Sequence, residues 1–275
     1  MTSFDHDHSH HGGLAHDLTL LTRRRLFGLV GKAAAGLSMS SVLASCVADA
    51  TGTGVDAGSD GSTSSASCST IPSETQGPYP GDGTNGPNAL ALSGIVRSDI
   101  RASLGSATGV AQGVVLTVTL TLVDSKTCSP LTGHAIYLWH CDRDGNYSMY
   151  SAAVASENYL RGVQVTDSAG QVSFTTIFPG CYSGRWPHIH FEIYPSLASA
   201  STGASKIATS QLALPKATCD TVYATTGYSA SVTNLARITL ATDNVFSDGA
   251  TLQLPAMTGS AADALAASLT VAINV

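Results

Sequence analysis

An alternating apolar and polar pattern in the middle of the chain constrains its fold more than any other feature. In Val114–Val123, threonines at every second position alternate with leucines and valines. Successive side chains of a strand point to opposite faces, so this pattern predicts a half-buried β-strand. Similar short segments, separated by Gly, Asp and Ser clusters, recur from residue 90 onwards. They are Leu90–Val96, His134–Cys141, Leu160–Thr166, Gln171–Ile177, His188–Tyr194, Ala208–Leu214, Arg237–Ala241 and Leu269–Val275.

Many short strands with turns between them predict an all-β protein, specifically an antiparallel β-sandwich. Asp167–Gly170 has the composition of a tight hairpin turn. Ser260–Ser268 is the only segment with a plausible helical pattern. On a sandwich, functional residues usually lie in the loops at one end, and we expect them there.

The first 46 residues carry motifs of export. Thr22–Phe27 (T-R-R-R-L-F) resembles a twin-arginine signal, and the weakly apolar run Gly28–Val42 follows it. Leu43–Cys46 (L-A-S-C) resembles a bacterial lipobox, in which Cys46 becomes the lipidated N-terminus. These motifs predict a protein in the periplasm or at the cell surface that contacts the membrane through a lipid on Cys46.

The rest of the chain divides by composition into two parts. Residues 47–70 are mostly Gly, Ser, Thr, Ala and Asp, which predicts a flexible linker. Residues 71–275 are long enough to form a single domain with one core. The formal net charge of the chain is -6 and its basic residues do not cluster, so nucleic-acid binding is not expected.

The cysteines after Cys46 are odd in number, so at least one thiol remains unpaired within the chain. An exported protein reaches an oxidising compartment, which permits disulfides among the others. Their connectivity is open at this point. The five cysteines are Cys68, Cys128, Cys141, Cys181 and Cys219.

Two histidines on one predicted strand are the strongest functional signal. His188 and His190 are two residues apart, so their imidazoles point the same way while Ile189 and Phe191 face the opposite side. Paired imidazoles on a rigid strand form half of a metal site. Two tyrosines, Tyr147 and Tyr182, stand in loops that follow predicted strands.

These residues belong to six short motifs by which the chain resembles the intradiol ring-cleavage dioxygenases, a family that includes protocatechuate and catechol dioxygenases. The likeness is closest to the exported, single-domain branch of that family. The motifs stand in family order. They are T-Q-G-P-Y at Thr75–Tyr79, W-x-C-D-x-x-G-x-Y at Trp139–Tyr147, L-R-G at Leu160–Gly162, T-I-F-P-G-x-Y at Thr176–Tyr182, R-x-x-H-I-H at Arg185–His190 and S-Q-L at Ser210–Leu212.

The resemblance implies a non-haem Fe(III) ion held by Tyr147, Tyr182, His188 and His190. It further implies that Arg185, Tyr182 and Gln211 take part in catalysis. Pro78 and Tyr79, together with Arg185, would contact the substrate. The implied reaction cleaves a catechol between its two hydroxyl-bearing carbons with O2 and gives a cis,cis-muconate-type product.

Two other functions remain open at the level of sequence. Sandwiches of this kind also occur as transthyretin-like binding or structural modules without catalysis, here on the cell surface. A zinc-dependent hydrolase could use the two histidines with Glu192, which shares their strand face, but it would need a further ligand and a base.

Overall fold

The computed structural model describes residues 68–275, which form two four-stranded sheets. The predicted signal segment, the lipobox and nearly all of the predicted linker lie outside these residues. The strands in chain order are β1 (Val115–Asp124), β2 (Ala135–Trp139), β3 (Arg161–Val165), β4 (Gln171–Ile177), β5 (His188–Tyr194), β6 (Ala208–Ala213), β7 (Ala256–Gly259) and β8 (Leu265–Ile273).

The all-β sandwich predicted from the sequence is confirmed. The first sheet has the order β4-β1-β8-β7 and the second the order β3-β2-β5-β6. Neighbouring strands are antiparallel except for β1 and β8, so the predicted antiparallel sandwich contains one parallel pair. A parallel pair is possible because β1 and β8 lie far apart in sequence, with the rest of the domain as their connection.

The main core lies between the two sheets. Leu116 and Leu120 from β1 and Phe174 from β4 meet Ile189 and Phe191 from β5, and all five are buried. The alternating pattern that predicted β1 therefore has the expected cause, since its threonines lie on the outer, half-buried face.

The outer face of the second sheet is also covered. Tyr137 and Trp139 on β2 pack in a second apolar cluster with Leu90 and Ile95, which belong to the loop before β1. His190 pairs with Trp139 across β2 and β5, so it lies on this covered face. Every residue of β5 is buried, including the histidines.

Three predicted elements differ from the structure. Ser260–Ser268 is not a helix but belongs to the β7–β8 hairpin, where Leu265, Ala267 and Leu269 follow the two-residue period of a half-buried strand. Arg237–Ala241 contains turns rather than a strand. Leu90–Val96 begins with a short 3-10 helix because the Asn88 side chain accepts a bond from Leu90 N and caps it.

The predicted turn at Asp167–Gly170 is present, with Gly170 N donating to Asp167 O at 2.9 Å. It does not make a hairpin, because β3 and β4 belong to different sheets. The turn instead carries the chain from one sheet to the other. The remaining elements are two helices, α1 (Lys216–Tyr223) and α2 (Ser229–Leu235), and 3-10 turns at Ala89–Ala91, Ala152–Val154, Gly203–Ser205, Phe246–Asp248 and Thr251–Gln253.

A disulfide attaches the start of the described segment to the sandwich. Cys68 is bonded to Cys128, and Cys68 N donates to Ser125 O at 2.9 Å. Contacts with the fold thus begin three residues before the predicted start of the domain. The other three cysteines of residues 68–275 are free and buried, in agreement with the odd count after Cys46. Within residues 68–275 no helix has the length and apolarity needed to cross a bilayer.

Candidate metal centre

Four side chains from three segments meet at one end of the second sheet. His188 and His190 lie on β5, Tyr147 lies in the loop after β2, and Tyr182 lies in the loop after β4. The two Nε2 atoms are 3.1 Å apart. Tyr147 Oη lies 3.4 Å from His188 Nε2 and 3.3 Å from His190 Nε2, and Tyr182 Oη lies 3.2 Å from His188 Nε2.

These separations fit donors that share one metal ion. Donor atoms about 2.1 Å from a common ion are about 3.0 to 3.4 Å apart when they subtend angles of 90 to 110° at it. All four measured separations lie in this range. Residues 68–275 contain no group of three or more His, Cys, Asp or Glu side chains placed to hold a metal, so the tyrosine oxygens are essential members of this cluster.

The protonation states also suit metal binding. Burial, followed by the charge of Arg185, lowers the pKa of His188 to about 3, and burial and His188 lower that of His190 well below its usual value. Both imidazoles are therefore neutral at pH 7. His188 Nδ1 bonds the Trp186 carbonyl, which leaves its Nε2 lone pair directed at the cluster.

Tyr147 requires a cation to act as a phenolate. Burial, and then the neighbouring Tyr182, raise the pKa of the Tyr147 hydroxyl well above 10. Without a nearby positive charge this group stays protonated at neutral pH. A bound metal ion supplies that charge, as is usual for hard oxygen ligands on a Lewis acid.

The two tyrosine loops are held against each other by close packing. Gly145 has φ +86°, and a Cβ at this position would lie 2.9 Å from Tyr182 Cβ. Asp142 shapes the same loop, because its Oδ1 accepts bonds from Asp144 N and Asn146 N. The glycine of the first tyrosine motif is thus what lets both tyrosines reach one point.

Comparison with known proteins finds similarity to dioxygenases. A family model described as a dioxygenase matches residues 86–190, a segment that contains both tyrosines and both histidines. The intradiol ring-cleavage dioxygenase from Tetranychus urticae superposes with a TM-score of 0.58 and 28% identity, covering 75% of this chain and 95% of that one. A second dioxygenase crystal structure matches with the same values. These matches support the intradiol ring-cleavage dioxygenase family for this chain.

A curated relative supports the same family over a shorter stretch. The chlorocatechol 1,2-dioxygenase of Rhodococcus opacus is 41% identical over 84 residues, which are 24% of this chain. The match spans 33% of that enzyme's length. The likeness therefore concerns part of the relative.

Arg185 is buried beside the two tyrosines. Its Nε lies 3.0 Å from Asp243 Oδ2, and its Nη2 donates to Gln211 Oε1 at 2.7 Å. Gln211 in turn donates to Thr75 O at 2.8 Å and pairs with His190 across β5 and β6. The structure thus brings Arg185 and Gln211 together and adds Asp243, which no motif of the sequence marks.

The loop predicted to contact substrate lies against the cluster. The ring of Tyr79 is 5.0 Å from that of Tyr147, and a Cβ on Gly77 would lie 3.4 Å from His190 Cε1. Pro78 lies between these two contacts, and its carbonyl accepts a bond from Asn85 at 2.6 Å. Pro78 and Tyr79 therefore lie beside the cluster, and their contact with substrate stays a prediction.

A fully buried arginine, Arg161, joins this loop to the loop that carries Tyr147. Arg161 donates from Nη1 to Pro80 O and Tyr137 Oη, from Nη2 to Tyr79 O and Ser148 O, and from Nε to Ser148 Oγ. All five of its N–H groups are thus used. The sequence marks Arg161 only as part of a motif, because its acceptors lie in three other segments.

The other polar residues near the motifs have structural roles. His140 is buried, with Nε2 bonded to Thr176 Oγ1 and Nδ1 to the Cys141 carbonyl, each at 2.7 Å. Glu192 points away from the metal cluster, since it pairs with Lys206 Nζ at 2.6 Å and accepts from Tyr194 Oη. It does not supply the third ligand that a zinc hydrolase would need.

Proposed function

We propose that this protein is a non-haem ferric dioxygenase that cleaves catechol-type diols between the two hydroxyl-bearing carbons. Both atoms of O2 enter the product, a cis,cis-muconate-type diacid, so the reaction needs no added reductant. The proposal is carried by one observation, which is the convergence of two tyrosine oxygens and two histidine nitrogens at separations of 3.1 to 3.4 Å.

Tyr147, Tyr182, His188 and His190 would hold the iron. Two anionic oxygen donors favour ferric iron, and two neutral imidazoles complete a set that leaves room for substrate. When bound, ferric iron would draw electron density from a coordinated catecholate and make its ring reactive toward O2.

Tyr182 is suited to accept a substrate proton. It is partly exposed, whereas Tyr147 is buried, so Tyr182 has more freedom to move away from its position beside His188. As the substrate enters, the Tyr182 Oη would take up a proton from a catechol hydroxyl. Tyr147 would remain as the oxygen donor.

Arg185 would stabilise negative charge that develops on the substrate ring. Its guanidinium is fixed and buried, and a preorganised charge in a water-poor site is more effective than one in water. Gln211 supports this role by accepting a bond from Arg185 Nη2. Tyr79 and Pro78 would form the wall against which the substrate ring packs.

The substrate class follows from a short connection near the cluster. Only residues 183–187 separate Tyr182 from His188, which trims a loop that closes the pocket in protocatechuate and catechol enzymes. A more open site suits bulkier catechols, such as lignin-derived or other plant aromatics. Oxygen uptake with a panel of substituted catechols tests this, and a strict preference for unsubstituted catechol would contradict it.

We further propose that the enzyme acts outside the cytoplasm as a lipoprotein attached through Cys46. The disulfide between Cys68 and Cys128 supports an oxidising compartment. Cell fractionation is the test. Cys46→Ala is expected to move the protein from the membrane to the soluble fraction, and unchanged membrane association would refute the anchor.

The central proposal is tested by metal content, visible spectrum and product analysis of the purified protein. We expect one iron per chain, a tyrosinate-to-iron charge-transfer band, and stoichiometric O2 uptake with catechol. Tyr182→Phe should shift the band and lower kcat about 100-fold. The matched control is Tyr228→Phe, which removes a buried hydroxyl bonded to Phe178 O away from the cluster. Colourless protein that binds no iron, or equal activity of both variants, would refute the proposal.

A further inference from the structure

The orientation of Arg185 depends on a residue outside the segment that the family model matches. Two of the three guanidinium nitrogens of Arg185 are held by side chains, Nε by Asp243 and Nη2 by Gln211. Neither residue bonds the third nitrogen, Nη1. Arg185 lies close to both tyrosines, and the charges of Tyr182 and Asp243 outweigh burial and raise its pKa.

Asp243 is itself fixed before it contacts Arg185. Its Oδ1 accepts bonds from Val245 N at 2.8 Å and Phe246 N at 3.1 Å. Its Oδ2 accepts from Arg185 Nε at 3.0 Å and from Trp186 N at 2.7 Å. The carboxylate is fully buried and both of its oxygens are used, so it has no freedom to follow a moving guanidinium.

Gln211 alone would fix Arg185 less well. A single bond at Nη2 lets the guanidinium plane swing about that contact, whereas a second bond at Nε fixes the plane. Because the Asp243 carboxylate accepts a bond from Nε, this nitrogen does not compete for a substrate oxygen. Nη1 is then the guanidinium nitrogen left to interact with the substrate.

We infer that Asp243 is a positioning residue for the ring-cleavage reaction, which it serves by fixing the plane of Arg185 so that Nη1 faces the substrate. The inference rests on the proposed function. It assigns a role in the site to the segment around residue 243, which comes 53 residues after the last histidine ligand, His190.

A double-mutant cycle of Asp243→Asn and Arg185→Met tests the inference, with kcat, KM and urea midpoints measured for iron-loaded protein. A residue that acts through another loses its effect when the other is gone. We expect Asp243→Asn to lower kcat about 100-fold, as for a small misplacement of a catalytic group, while KM changes less than threefold. In the Arg185→Met background, Asp243→Asn should change kcat by less than twofold.

Stability is expected to behave differently from kcat. Asp243→Asn leaves a buried cation without its anion and should lower the urea midpoint, whereas the double variant removes both charges and should regain part of the loss. Asp82→Asn is the matched control. Asp82 is a buried carboxylate that also pairs with a cation, Lys206, at 3.1 Å, so its loss should lower the midpoint but leave kcat within twofold.

Asp243→Glu serves if the asparagine variant does not fold. It keeps the charge but displaces the carboxylate by one methylene, so kcat should fall at least 10-fold with a midpoint near that of the wild type. The inference is overturned if either variant at position 243 keeps kcat within threefold, or if the effects on kcat multiply in the double variant. Absence of ring cleavage by the wild type would instead refute the proposed function, and this outcome is separate from a failure of the variants alone.

Discussion

Arg161 offers a prediction whose magnitude can be worked from individual hydrogen bonds. We consider Arg161→Met, which keeps most of the apolar stem and removes all five N–H donors. Three of the five acceptors keep another hydrogen-bonding role, since Tyr137 Oη still donates to Pro80 O at 2.8 Å. Ser148 Oγ likewise still donates to the Tyr159 carbonyl at 2.7 Å.

Two carbonyls lose the donor that the structure gives them, those of Tyr79 and Ser148. A buried polar group left without a partner costs about 1 to 3 kcal/mol, so these two together cost about 2 to 6 kcal/mol. Removing the buried guanidinium of Arg161 also removes its desolvation penalty, and this offsets part of the cost. We therefore expect Arg161→Met to lower the free energy of unfolding by about 3 kcal/mol.

The same substitution should loosen the metal site. Tyr79 lies in the loop beside His190, and Ser148 directly follows Tyr147, so Arg161 fixes both loops with one guanidinium. We expect weaker iron retention at equal protein concentration and a lower kcat/KM. Arg161→Lys should not restore either property, because a single ammonium cannot reach acceptors in all three segments.

Urea unfolding and iron titration provide the assay, with Arg97→Met as the control. Arg97 is also an arginine near β3, but it is less buried and donates to Arg161 O and Ala102 O, so it does not contact either loop directly. Its loss should cost no more than about 1 kcal/mol. The reasoning is refuted if Arg161→Met stays within 1 kcal/mol of the wild type, or if Arg97→Met weakens iron retention equally.

Three further outcomes are expected. Replacing Cys68 and Cys128 by serine removes a cross-link over a sequence separation of 60. The free energy of unfolding should fall by about 4 kcal/mol at most. The thermal midpoint of the variant should be lower than that of the wild type and should no longer respond to reductant. Gly145→Ala places a side chain at a residue with φ +86° and against Tyr182. It should lower the free energy of unfolding in urea by about 1 to 3 kcal/mol and shift the charge-transfer band. An unchanged band would count against the packing argument. Removing iron with a chelator should abolish oxygen uptake and lower the thermal midpoint. Adding a ferric salt should restore both properties, whereas adding zinc should restore no oxygen uptake.

The strands were predictable where their pattern is local. The bounds of β4 and β5 agree with the predicted segments, because a period of two over seven residues is written in the sequence itself. The segment Ser260–Ser268 was assigned wrongly since its small residues suit a helix equally well. Its antiparallel pairing with β7 and its parallel pairing with β1, more than 140 residues earlier, decide that it is a strand.

For the candidate metal cluster too, some features follow from the local sequence and others only from the tertiary structure. Sequence alone placed His188 and His190 on one face of a strand and supplied the two tyrosines by their motifs, because ligand identity is a property of side-chain chemistry and short spacing. The tertiary structure decided what holds the cluster together. Asp243 and Arg161 act through atoms of segments far from them in the chain, and such contacts leave no periodic or local signal for a sequence to reveal.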